Sequence, residues 1–150
     1  ARFQLDHRYR LPLWELVYHD CVVVYWPGAD GNNLPPSFWN KRDLFNLLYG
    51  TPPSFVLDRA LWETDQARFV QSYRTVCPVA RAAAYSEMLT HRFLTPDRDV
   101  QQTLFANGVI VTVNFGAAPY QLTKSLGIPP LGFQVIGLPR REEQKPGTSR

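Results

Sequence analysis

The chain has 150 residues, 45% of them hydrophobic and 19% charged, which is the composition of a folded globular protein and excludes a disordered or fibrous one. Of the formal net charge of +3, residues 139–150 carry four basic and two acidic side chains, or +2, so no basic stripe remains to predict nucleic-acid binding. No apolar run is long enough to span a bilayer and no signal peptide is visible, so we expect no membrane partner.

The first predicted unit is a strand followed by a helix. Residues 13–19 predict a strand. It begins as an apolar run typical of a strand buried on both faces, and it ends in the polar residues His19-Asp20-Cys21. The segment 22–26 either extends this strand or forms an insert. A helix is predicted for residues 37–49 because its apolar side chains recur at helical spacing, and Gly50 stands where a C-terminal cap belongs.

A second strand and helix follow. Residues 54–57 predict a short strand that ends at Asp58, and residues 63–89 predict a helical region that breaks at Pro78. A β-α-β-α order implies parallel strands with helices packed outside a sheet or barrel. Because the first strand starts soon after Ala1, we expect a piece of a longer protein, so the absence of a targeting signal leaves the compartment open.

The character of the sequence changes near residue 95. Residues 1–95 are predicted as one part, residues 96–138 as antiparallel β structure, and residues 139–150 as a flexible tail. In the second part, Asn107-Gly108 is a strong hairpin signal between two alternating strands. A two-residue turn there would place Leu104 opposite Val111. One more strand is expected at residues 132–136.

Two carboxylates end the predicted parallel strands, Asp20 and Asp58. Neighbouring strands lie about 4.8 Å apart, so these groups could approach the separation of about 5–9 Å that glycosidases use for paired acid catalysis. Two alternatives stay open at this point. Arg59 could neutralise Asp58, and His19 with Asp20 could simply cap and solvate a loop.

Metal and ligand contacts are suggested by the same segment. A Glu15 or Asp20 carboxylate suits a hard cation such as calcium, whereas zinc is disfavoured because His19 has no second histidine at useful spacing. Trp26, in the turn-rich loop, either stacks on a sugar or anchors the loop. Cys21 and Cys77 lack metal-type spacing and are interpreted as core thiols.

Several strings of this sequence together resemble bacterial α-N-acetylgalactosaminidases of glycoside hydrolase family 129, which is related to the endo-acting family 101. The matching strings span roughly residues 11–136 and include residues 12–21, 39–45, 48–53, 68–74, 85–88, 91–98, 102–108 and 111–116. The resemblance implies a fragment that holds the last two βα units of a (β/α)8 barrel, followed by antiparallel strands that begin a β-sandwich.

The resemblance also implies a function. Such enzymes are retaining hydrolases that release α-linked N-acetylgalactosamine from mucin-type glycans, with an aspartate nucleophile and a glutamate acid/base that lie upstream of this segment. No catalytic residue is therefore expected here, and the fragment alone should be inactive. The expected substrate contacts are Tyr18, His19, Asp20, Trp26 and Asp58. Calcium near the active site of the family favours Glu15 and Asp20 as its ligands.

Two other function classes remain open. The hairpin-rich half and the aromatic side chains are also compatible with a non-catalytic carbohydrate-binding or interaction module. A metal-dependent sugar isomerase or deacetylase on a similar barrel would require His19 as a ligand.

Overall fold

A computed structural model describes residues 6–25 and 35–139 of the chain. Within these residues, three helices come first and six strands follow. The elements are α1 Leu13–Tyr18, α2 Pro36–Tyr49, α3 Arg59–Ala83, β1 Met88–Phe93, β2 Val100–Phe105, β3 Ile110–Asn114, β4 Tyr120–Thr123, β5 Leu126–Ile128 and β6 Gly132–Ile136. A helical part followed by a β-rich part agrees with the predicted change of character, but the helical part contains neither of the two predicted strands.

The first predicted strand is wrong, because residues 13–18 form helix α1. The buried positions Glu15 and His19, with the half-buried Leu16, recur at three- and four-residue intervals, and His19 N donates to Glu15 O at 3.1 Å. The apolar residues that suggested a fully buried strand lie on the outer side, where Trp14 is 53% exposed. A short apolar run has no period that separates helix from strand, and the polar residues carry the helical signal here.

The second predicted strand is also wrong, since residues 51–58 are irregular. Pro52-Pro53 at its start cannot donate backbone hydrogen bonds to a sheet. The apolar content serves a different purpose, because the Phe55 ring packs 5.7 Å from Trp39 and 4.9 Å from Phe69. Phe55 thus packs the loop between α2 and α3 against both helices. The described residues contain no pair of parallel strands that would begin a barrel.

Helix α2 confirms the prediction for residues 37–49, and it ends at Gly50 in the left-handed conformation with φ +68°. Helix α3 differs from its prediction. It begins after Asp58, kinks at Asp65 and continues through Pro78 to Ala83. The carbonyl that Pro78 leaves without a donor belongs to Arg74, and both residues are exposed, so water can replace the missing bond.

The order of the main sheet is β1-β2-β3-β6, with every neighbouring pair antiparallel, and β4 and β5 form a separate two-stranded sheet. Strand β6 confirms the strand predicted at residues 132–136. Antiparallel β structure is therefore confirmed for the second part of the chain. The packing of two sheets into a sandwich stays a prediction.

The β2–β3 hairpin is confirmed, but its register is one residue away from the predicted one. Leu104 pairs with Ile110, and Phe105 N donates to Val109 O, so the loop has three residues. Gly108 at φ +86° supplies the left-handed position of such a loop. A one-residue shift moves a strand's side chains to the other face. Consequently Gln101 and Thr103, both fully buried, face the helices beside the apolar residues of β3.

One core joins the helices to the sheet. Phe45 and Leu48 of α2, Val79 of α3 and Phe105 of the sheet belong to the same buried cluster. The predicted boundary at residues 95/96 falls between β1 and β2, which pair with each other, so the two predicted parts share this core. The tail predicted for residues 139–150 lies, apart from Pro139, outside the described residues.

The segment before α1 is tied to the sheet by polar contacts. His7 Nε2 lies 2.7 Å from Asp99 Oδ1, and the His7 ring stacks on Phe115 at 4.8 Å. Gln101 Nε2 donates to His7 O at 2.9 Å. These contacts anchor the segment beside β2, and α1 itself contacts β1. Within residues 6–25 and 35–139, no helix combines the length and apolar character that a bilayer span needs.

Candidate functional site

His19 is the predicted site residue that the fold places most deeply. It follows α1 and is 7% exposed, with its ring 4.9 Å from that of Phe105. Its Nδ1 lies 2.8 Å from Ser86 O. A carbonyl oxygen only accepts, so Nδ1 carries a proton, and in the neutral ring Nε2 has a lone pair that can accept a hydrogen bond. Nε2 faces Gly50 and has no hydrogen-bond partner among the described residues.

Tyr18 and Asp20, on either side of His19, are exposed. The Tyr18 ring lies 4.6 Å from that of Trp14, and the two form an aromatic pair on the outer side of α1. Asp20 Oδ1 accepts from Cys21 Sγ at 3.2 Å, and this hydrogen bond raises the pKa of the Cys21 thiol. Cys21 is exposed, so its interpretation as a core thiol is wrong. Cys77 is half-buried and, like Cys21, free.

Asp58 is the N-cap residue of α3, where its Oδ1 accepts from Leu61 N at 2.8 Å. Arg59 does not neutralise it, because Arg59 Nε pairs with Glu63 Oε1 at 2.8 Å. Asp20 follows a helix and Asp58 precedes one. The two carboxylates therefore do not end neighbouring strands, and the geometric premise for pairing them is absent.

Glu15 lies in a buried polar cluster with Arg10 and Tyr49. The Arg10 guanidinium lies 5.8 Å from the centre of the Tyr49 ring, close to its hydroxyl but without the geometry of a full hydrogen bond. Burial lowers the pKa of Arg10, and Glu15 partly opposes this by attraction. Burial also raises the pKa of Tyr49 far above its usual range, so the phenol stays protonated. A cation that the protein itself supplies, Arg10, thus attracts the Glu15 carboxylate.

A calcium ion takes six to eight oxygen ligands. Among the described residues, no three histidine, cysteine, aspartate or glutamate side chains converge on one point. Glu15 is buried beside Arg10, whereas Asp20 is exposed. This arrangement does not fit a calcium centre built from Glu15 and Asp20.

Several buried polar groups escaped the sequence-based prediction. His91 Nδ1 lies 3.3 Å from Thr103 Oγ1, and burial lowers the pKa of His91 to about 4. The His91 Nε2, Tyr49 hydroxyl and Gln101 Oε1 atoms are buried without a hydrogen-bond partner. The alternation of inward-facing and outward-facing residues along β2 could have indicated these buried polar groups. With the three-residue loop, Gln101 and Thr103 fall on the inner face, next to His91 of β1.

A cavity of about 420 Å³ lies beside His19. Its walls come from the segment after α1, the C-terminal end of α2 and the C-terminal half of α3. Arg81 is exposed at this cavity, where it donates to the Tyr73 hydroxyl and lies with its Cζ 5.5 Å from the centre of that ring. It also lies close enough to Cys77 to oppose the rise in the pKa of this thiol that burial causes.

Tyr85 lines the same cavity from the connection between α3 and β1. Its φ of +56° is unusual for a residue other than glycine, and its side chain is 68% exposed. Trp26, the remaining predicted substrate contact, lies outside the described residues. The structure thus brings His19 to a cavity, leaves Tyr18 and Asp20 at the surface, and engages Asp58 in a helix cap.

Comparison with known proteins identifies related sequences and folds. The family model described as glycosyl hydrolases related to the GH101 family, GH129, matches residues 2–104. The fold is similar to a quadruple mutant of the α-N-acetylgalactosaminidase NagBb from Bifidobacterium bifidum, with a TM-score of 0.52 and 26% identity over 85% of this chain and 17% of that one. The GalNAc complex of the same enzyme has a TM-score of 0.52 and 25% identity over 87% of this chain and 18% of that one.

The chain spans less than a fifth of the length of the two solved structures. A comparison with curated proteins finds no match.

Proposed function

Since this chain belongs to glycoside hydrolase family 129, we propose that it is part of a retaining hydrolase that releases α-linked N-acetylgalactosamine from mucin-type glycans. The observation that carries the proposal is the family match over residues 2–104, and the likeness to two α-N-acetylgalactosaminidase structures supports it. The family supports hydrolysis of a glycosidic bond as the reaction class. Retention of configuration at the anomeric carbon and the mucin-type glycan substrate are the more specific parts of the proposal.

The proposed nucleophile and acid/base lie outside this chain. Asp58 is engaged by a backbone N–H at the start of α3, and Asp20 is exposed next to Cys21. A retaining glycosidase needs two carboxyl groups about 5–5.5 Å apart across the scissile bond. These contacts explain why neither Asp20 nor Asp58 is proposed as nucleophile or acid/base, and the family membership supports their role as substrate-orienting groups, together with Tyr18, His19 and Trp26.

The test uses the complete translation product that carries this chain. We expect it to hydrolyse an aryl α-N-acetylgalactosaminide, with the α-anomer appearing first in a proton NMR time course because two displacements retain configuration. Asp20→Ala should lower kcat/KM about tenfold if this carboxylate contacts the transition state. Asp65→Ala, at the kink of α3, is the matched control and should leave kcat/KM unchanged.

Two results would contradict the proposal. First appearance of the β-anomer would exclude a retaining mechanism. Absence of hydrolysis by the folded product on α-linked N-acetylgalactosaminides would remove the substrate assignment. Full activity of Asp20→Ala would remove only Asp20 from the substrate contacts.

A carbohydrate-binding module is the second candidate. It is favoured by the exposed aromatic pair of Trp14 and Tyr18, because such rings can pack against the C–H face of a sugar. Calorimetric titration of the chain with N-acetylgalactosamine separates the candidates. Tight binding that Trp14→Ala abolishes supports a module, whereas negligible affinity supports a part of an enzyme.

A further inference from the structure

The cavity beside His19 has the size and wall chemistry of a small-molecule site. Its volume of about 420 Å³ falls within the range of about 300–1,000 Å³ that is usual for ligand pockets. Most of its wall is apolar and includes Pro52, Val22, Val23, Ala80 and Ala84. Such walls suit an aromatic or aliphatic body better than the hydroxyl-rich edge of a sugar.

One polar feature of the cavity is an acceptor. The His19 side chain is more than nine-tenths buried, and its Nδ1 proton is committed to Ser86 O. Nε2 lies beside Gly50, and both residues line the cavity. Nε2 is not one of the unpartnered atoms that are fully buried in the described residues, so solvent reaches it, and a hydroxyl or N–H group of a ligand can replace water as its donor.

The other polar feature is a cation. Residues 66–86 contain three arginines and no acidic residue, and none of the described residues that line the cavity is acidic. Arg81 has no carboxylate within ion-pair distance among the described residues, and it donates a hydrogen bond to the Tyr73 hydroxyl. A guanidinium in this position matches the charge and geometry of a carboxylate.

We propose that this cavity binds a small carboxylate with an apolar body and a hydrogen-bond donor at its far end. The body occupies the apolar walls, the carboxylate pairs with Arg81, and the donor is accepted by His19 Nε2. The inference concerns binding by this chain alone and goes beyond the proposed hydrolysis of glycans.

The probe is 4′-hydroxybiphenyl-4-carboxylate, titrated calorimetrically into the 150-residue chain at neutral pH and low ionic strength. Two matched ligands each lack one polar end: 4-hydroxybiphenyl lacks the carboxylate, and biphenyl-4-carboxylate lacks the hydroxyl. We expect the complete probe to bind about tenfold more tightly than 4-hydroxybiphenyl, as one charge-assisted contact would give. Loss of the hydroxyl should weaken binding by about threefold to tenfold.

Variants assign these differences to residues. Arg81→Gln should remove the advantage of the carboxylate and leave the affinity for 4-hydroxybiphenyl unchanged. Arg74→Gln is the matched control, because Arg74 is an exposed arginine on the same helix and does not line this cavity. Ala84→Leu adds volume at an exposed part of the wall and should weaken all three ligands. Arg74, Arg81 and Ala84 are exposed, so these variants should fold, which circular dichroism verifies.

Three outcomes would overturn the proposal. The first is no binding of the complete probe, or equal affinity for the acid and the neutral ligand. The second is an equal effect of Arg74→Gln and Arg81→Gln, which would show attraction by net charge alone. The third is displacement of the probe by N-acetylgalactosamine, which would assign the cavity to the sugar and would leave the proposed hydrolase intact.

Discussion

Gly50 joins α2 to the core through a conformation and a packing that other residues cannot reproduce. It has φ +68°, and a Cβ built on it would lie 2.8 Å from His19 Nε2, 2.9 Å from Phe105 Cζ and 3.0 Å from Ala83 Cβ. Phe105 and Ala83 are fully buried, so neither can move into solvent. We therefore expect Gly50→Ala to be strongly destabilising.

The expected magnitude has two parts. An L-residue in the left-handed region costs about 1–2 kcal/mol relative to glycine. Forcing a methyl group into a packed core costs about 1–3 kcal/mol more. The free energy of unfolding should therefore fall by about 2–5 kcal/mol, which is a large share of the stability of a small domain.

Gly108→Ala is the matched control. Gly108 is also left-handed, with φ +86°, but nothing lies within 4 Å of its Cβ position. It should lose only the conformational part, about 1–2 kcal/mol. Urea unfolding of both variants, followed by circular dichroism, measures the difference. Equal losses would refute the packing argument, whereas an unfolded Gly50→Ala beside a folded Gly108→Ala would agree with it.

Two further predictions concern stability. Burial lowers the pKa of His91 from its ordinary value of 6.5 to about 4 in the folded chain. Between pH 6.5 and pH 4 the unfolded chain therefore binds a proton at His91 that the folded chain does not bind. The free energy of unfolding should fall by up to about 3 kcal/mol as the pH drops through this range. His91→Gln should flatten that part of the pH profile measured by urea unfolding, and an unchanged slope would contradict the assignment. Asp58→Ala should cost about 1 kcal/mol through loss of the α3 cap, whereas Asp58→Ser should retain most of the stability in the same assay, and equal losses in both variants would argue against capping.

Local chemistry made part of the fold predictable. Helix α2 has helical spacing of apolar residues and a glycine at its end, and both features appear in the structure. Asn107-Gly108 marks the β2–β3 hairpin, because Gly108 adopts the positive φ that the loop requires. The family was also predictable, because several separate strings resemble it and the family match covers residues 2–104.

The length of the hairpin loop could not be predicted from the sequence. Two- and three-residue loops both use Asn-Gly, and they differ in register by one residue. The choice depends on which face of β2 packs against the helices. Phe105, fully buried in the core, selects the three-residue loop and carries Gln101 and Thr103 inward with it. The buried polar groups near His91 follow from that selection.

Sequence alone determined the elements whose signals are complete within a few residues: α2 with its Gly50 cap, the position of the hairpin turn, and the strand at residues 132–136. Tertiary structure decided the rest. The apolar run at residues 13–18 is compatible with helix or strand, and contacts of Glu15 and His19 with the core select the helix, which in turn moves His19 to a cavity and leaves Asp20 in solvent. The physical reason is that a short apolar run has no period of its own, so the surface against which the segment packs decides whether it forms a helix or a strand.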